Sequence, residues 1–166
     1  MKTIMQSKLI QSPGITAAGR ILLGLMLVSG TATSVHAQGQ IASGTISGSG
    51  SGPYTYNLSF SNAPSATSPV GSVWYAWIPL HFYLPGPPTS PAAPSGWTAT
   101  AVSDSIQFTA NTPADYITAG SSLSGFSYQA AFSPAQLAAA PNSGDSVAYS
   151  GGIFSDAGDT FTVTVQ

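Results

Sequence analysis

The pattern that most limits the fold lies over residues 97–110, WTATAVSDSIQFTA. With Ser103-Asp104 as a two-residue turn, Val102 faces Ser105, Ala101 faces Ile106, Ala99 faces Phe108 and Trp97 faces Ala110. This register puts Trp97, Ala99, Ala101, Ile106, Phe108 and Ala110 on one face. Thr98, Thr100, Val102, Ser105, Gln107 and Thr109 take the other. Side chains alternate along a strand, so a slip of one residue would mix the two sets. The segment therefore predicts a β-hairpin with one face in a core. Ser-Asp is not the preferred pair for so short a turn, and a loop one or two residues longer also fits.

The same period of two recurs. Tyr54, Tyr56, Leu58 and Phe60 share one face of a strand, Phe126 and Tyr128 mark another over 123–130, and 146–150 gives a further strand. Phe161, Val163 and Val165 mark a strand over 160–165. Residues 72–84, SVWYAWIPLHFYL, predict a strand on each side of a kink at Pro79, which lacks an N–H for a central ladder. In 38–52, Ile41, Ser43 and Thr45 alternate with Ala42, Gly44 and Ile46, a weak strand running into a Gly/Ser linker. Ser133, Pro134 and Gln136 suit the N-cap, N1 and N3 of a short helix closed by Pro141. Between these elements lie turn-rich loops: 61–71, 111–122 with a turn near Thr118-Ala119-Gly120, and 85–96, whose five prolines predict a stiff surface crossing. Seven or eight strands and one short helix predict an all-β, antiparallel immunoglobulin-like β-sandwich, with a jelly roll as the next choice. Trp97, Phe108, Phe126 and Phe161 are expected to be almost fully buried.

Upstream of the strands, Lys2, Lys8 and Arg20 precede the apolar run Ile21–Val28, followed by small residues and Val35-His36-Ala37. This order describes a secretory signal peptide cut before Gln38. The apolar run is too short to span a bilayer. The expected organisation is a signal peptide over 1–37, a Gly/Ser-rich segment with a first strand over 38–52, and a β-sandwich domain over 53–166. The destination is extracellular, with the periplasm as the alternative.

After residue 37 the chain has no Lys, Arg, Glu, Met or Cys, and its acidic side chains are Asp104, Asp115, Asp145, Asp156 and Asp159. Without cations it has nothing to neutralise phosphates, so neither nucleic acid nor anionic lipid is an expected partner. Without cysteine there is no disulfide, and the core must carry the stability. His81 is the only histidine after the signal, and no G-x-S-x-G elbow accompanies it. Asp156 and Asp159 sit in a Gly-containing loop, where Asp commonly shapes turns, and lack the fuller acidic pattern of a calcium loop. No catalytic residue, metal site or cofactor is expected.

The aromatic residues of 74–83 allow two arrangements. Trp74 and Ile78 pack inside, with Tyr75 and Trp77 partly covered by the proline-rich segment. Alternatively Tyr75, Trp77 and Tyr83 form an exposed platform for a neutral glycan or another protein.

Three stretches carry a family resemblance: Val73-Trp74-Tyr75-Ala76-Trp77-Ile78-Pro79 through Phe82-Tyr83-Leu84-Pro85; Gly96-Trp97-Thr98-Ala99 with Ile106-Gln107-Phe108-Thr109-Ala110; and Gly120-Ser121-Ser122-Leu123-Ser124-Gly125-Phe126. Together they resemble uncharacterised secreted bacterial β-sandwich domains, some of which end in a PEP-CTERM-type sorting tail. The resemblance covers about 73–137 and implies no activity. The chain ends at Gln166 straight after a strand, without Pro-Glu-Pro, an apolar tail or a basic cluster, so no stable membrane anchor is expected. The expected role is a secreted, non-enzymatic surface, matrix or protein-contact protein. Alternatives are a carbohydrate-binding module using exposed aromatics and an extracellular filament subunit.

Overall fold

The computed structural model describes residues 39–76, 84–140 and 145–166. The expected signal peptide, Trp77, His81, Tyr83 and Pro141 lie outside them. The strands are β1 (Ala42–Ser49), β2 (Tyr54–Asn62), β3 (Ser72–Tyr75), β4 (Thr89–Ala92), β5 (Trp97–Val102), β6 (Ser105–Ala110), β7 (Ser122–Ala130), β8 (Asp145–Tyr149) and β9 (Asp159–Val165). A 3-10 turn, Pro113–Asp115, precedes β7, and helix α1 (Pro134–Ala139) follows it.

The hairpin forms with the expected register, from Val102↔Ser105 to Trp97↔Ala110. Ser103 takes a φ of 53°, the positive value that a tight hairpin turn needs at its first central position. Helix α1 has the expected capping box: Ser133 Oγ accepts from the Gln136 N–H, and Gln136 Oε1 accepts from the Ser133 N–H. Trp97, Phe108, Phe126 and Phe161 are all buried.

The expected immunoglobulin-like β-sandwich is not the architecture. The strands form one mixed sheet in the order β4-β7-β2-β1-β9-β8-β3-β6-β5, and the two end strands, β4 and β5, touch, so the sheet is nearly closed into a barrel. The strand that decides this is β9. It pairs parallel with β1, Gly44↔Val163 to Ile46↔Val165, and antiparallel with β8, Asp145↔Thr162 to Ala148↔Asp159. What would have been two sheets are thereby joined. A period of two reports which face of a strand is inward, and an inward face looks the same in a sandwich and in a barrel.

Two segments also differ from their sequence patterns. The strand at 42–49 extends through residues expected to be linker, and it is central, flanked by β2 and β9. The proline-rich stretch contributes β4, which pairs with β7 at the edge of the sheet, where Pro91 needs no ladder N–H.

The interior has two aromatic layers. Phe60, Phe108, Phe126, Phe161 and Trp97 form one, with Phe60–Phe126 centroids 4.9 Å apart and Trp97 meeting Phe126 edge-on at 5.3 Å. Tyr56, Tyr75, Tyr128 and Phe132 form the other, with Tyr56 stacked on Tyr128 at 4.9 Å. Gly125, at φ 95°, sits at the β2–β7 bulge, where Leu58 pairs with Phe126 and Ser59 with Ser124. The outward residues Ser43, Ser47, Thr98, Thr100, Thr160, Thr162 and Thr164 are exposed. This is the reverse of the apolar outer band of a membrane barrel.

Candidate functional site

Pairing directions define the two ends of the barrel. The end of β1, the start of β2, the end of β7 and α1 lie at one end; the start of β1, the end of β8 and the start of β9 lie at the other. Each end carries an apolar feature.

At the first end is a cleft of about 510 Å³ whose described lining comprises Pro53, Pro85, Gly86, Pro87, Ala130, Ala131 and Phe132, with Thr89 and Gln136 as the polar residues among them. Its position follows from local structure. Leu84 docks its N–H on the Asp104 carbonyl at 2.6 Å, which carries the following prolines past the hairpin tip. Tyr56 Oη donates to the Phe132 carbonyl at 2.7 Å and fixes the cleft wall from inside. Behind it, the Tyr75 and Tyr128 hydroxyls are hydrogen-bonded to each other at 3.1 Å. Burial, with the neighbouring Tyr54, pushes the Tyr56 hydroxyl up to about 12. Burial also pushes Tyr75 and Tyr128 far above the usual phenol range. These three groups stay neutral near pH 7.

At the other end the 150–158 connection folds back onto the outer wall of β3 and β8. Phe154 meets the ring of Trp74 at 5.1 Å and 67°, and that of Tyr149 at 5.6 Å and 69°. Trp74 Nε1 donates to Ser105 Oγ at 2.9 Å. Phe154 remains 66% exposed and adopts a φ of 64°. For a bulky residue that conformation is an outlier and persists only where its surroundings enforce it. The enforcement is visible. Asp156 accepts from the N–H groups of Ser150 (3.0 Å) and Gly158 (2.9 Å) and from Gln40 Nε2 (2.9 Å), and Ser155 Oγ accepts from the Gly151 N–H at 3.0 Å. Burial alone would raise the Asp156 carboxyl, but these hydrogen bonds outweigh it and hold the group below the usual carboxylate range. Asp159 accepts from the Ala42 N–H at 3.0 Å. The two aspartates thus tie the loop to the start of β1. Among the described residues no group of three or more His, Cys, Asp or Glu could hold a metal ion.

Of the platform residues expected from sequence, Tyr75 is fully buried, with its ring in the tyrosine layer, so it presents nothing to a ligand. Trp77 and Tyr83 lie outside the described residues. Alternation along β3 runs opposite to the packed arrangement expected: Tyr75 is inward and Trp74 outward. No sequence period marks Phe154, which occupies a loop rich in Gly, Ser and Asp. An apolar Ile-Phe pair in such a loop was its only signal.

The chain matches no protein-family model, and no curated protein is significantly similar to it in sequence. It is a small, mostly β domain, and among its described residues no helix is long and apolar enough to cross a membrane.

Proposed function

We propose that this is a secreted, non-enzymatic contact protein that engages a neutral surface through the Phe154 loop. The observation that carries this is a bulky aromatic side chain, two-thirds exposed, held in an unfavourable backbone conformation by a hydrogen-bonded loop. An exposed aromatic residue on a rigid support offers contact area at small entropic cost. The absence of Lys and Arg from residues 38–166 leaves recognition to aromatic area, hydroxyls and amides, and disfavours polyanions. The steep angle between Trp74 and Phe154 gives an edge and a protruding ring, which suits a concave protein surface better than the flat face of a sugar.

The test is retention of the full chain and of Phe154→Ser on protein-coated surfaces, neutral polysaccharides, heparin and duplex DNA. Retention on a protein-coated or neutral surface is expected to weaken about tenfold or more in Phe154→Ser. Heparin and DNA should retain neither form. Equal retention of both forms, or tight salt-sensitive binding to heparin, overturns the assignment.

A further inference from the structure

We infer that the partner of the Phe154 loop is a second copy of this chain, whose Pro53/Pro85/Pro87/Phe132 cleft receives the Phe154 ring. This rests on the contact role proposed above and names its partner.

Four observations converge on it. The cleft is apolar, is walled by prolines and one phenylalanine, and at about 510 Å³ has ample room for a phenyl ring. Phe154 is the most exposed of the large hydrophobic residues in the described chain. Among the described residues no charged side chain lines the cleft, so burying an aromatic ring against them strands no ion. Finally, the cleft and the 150–158 connection belong to opposite ends of the barrel, so one molecule cannot satisfy its own cleft.

The geometry has a consequence for assembly. A contact that joins two different patches of one chain is heterologous, and each added copy presents a new free loop and a new free cleft. Such contacts grow as open chains unless the rotation between copies closes a ring. The domain also carries aspartates and no Lys or Arg, so the copies repel at long range. Added salt screens that repulsion without touching the apolar contact, and should strengthen the association.

The experiment uses the full chain, exported from a bacterial host and purified as it accumulates, in analytical ultracentrifugation over a range of concentration and salt. Two variants break the two halves separately: Phe154→Ser removes the ring, and Ala131→Asp puts a charge at an exposed position of the cleft. The wild type should form a series of species whose mean mass keeps rising with concentration, and more steeply at high salt. Each variant alone should remain monomeric, with an association constant lower by about tenfold or more. An equimolar mixture should form a one-to-one dimer and grow no further, because only one intact loop and one intact cleft can meet. That mixture also reports that both variants are folded. A wild type monomeric at every concentration, variants that associate like the wild type, or a mixture that stays monomeric each overturns the self-contact. A monomeric wild type whose adhesion to protein-coated surfaces still depends on Phe154 rejects the self-contact while leaving the contact role standing. Loss of both removes the two together.

Discussion

Strand β1 and the β5–β6 hairpin invert the relation between pattern and position. The hairpin has the clearest alternation in the chain, yet β5 is an edge strand. Strand β1 has the weakest, with Gly44 and Gly48 on its inward side, yet it is central and paired on both sides. The cause is how each strand meets its neighbours. Among the described strands β5 has one hydrogen-bonded partner, β6, and it brings its own apolar residues to the core. Strand β1 is covered by its neighbours' rings: a Cβ on Gly44 would meet Val163 at 3.0 Å, Phe60 at 3.1 Å and Phe161 at 3.3 Å. On Gly48 it would meet Pro134 at 2.6 Å and Tyr56 at 2.8 Å. Small residues there are the space into which large residues of β2 and β9 fit. A strand can therefore be central and still look like a linker.

Four substitutions test this contrast. The largest effect is expected at the hairpin's inward anchor. Phe108→Ala empties a fully buried site among Phe60 and Phe126 and should cost about 3–5 kcal/mol, read from denaturant midpoints. An unchanged midpoint would show that the hairpin's inward face is not part of the core. Next is Gly44→Val, which adds volume where none is free and should cost about 1–3 kcal/mol. A neutral Gly44→Val would show that the inward side of β1 is not packed against β2 and β9.

Asp156→Asn should have a smaller effect, and one that depends on pH. The folded carboxyl titrates below its unfolded value, so its contribution is present above about pH 4 and is lost as pH falls through the folded value. Thermal midpoints of wild type and Asp156→Asn should differ at neutral pH and converge in acid; a gap that widened in acid would reverse the sign. The smallest effect is expected at Thr100→Val on the outward face of β5, within about 0.5 kcal/mol, because the position is exposed. A large loss there would reveal a covering partner on that edge.

Much of the local structure was legible because its causes are local. The hairpin register, the inward sets of β2, β7 and β9, the turn near Gly120 and the capping box of α1 all depend on residues within a few positions of one another. The candidate site was far less legible. Tyr75 looked available because its segment is rich in aromatics, but alternation leaves the choice of inward face open until both neighbouring strands are placed. Phe154 looked incidental because a loop residue's exposure depends on which wall the loop folds against.

By itself, then, the sequence determined an all-β domain, its strongest strands and turns, and an interior built from aromatic side chains without disulfides. It also determined a surface without Lys or Arg after residue 37, since charge is carried by composition and needs no fold. Tertiary structure alone decided that the sheet curls into a near-barrel, that the weak first strand lies inside the sheet and is paired on both sides, and that Tyr75 is hidden while Phe154 is displayed. Those outcomes rest on the parallel pairing of β1 with β9 and on one loop's return to the outer wall. These contacts join residues more than a hundred and about eighty positions apart, and no local pattern encodes them.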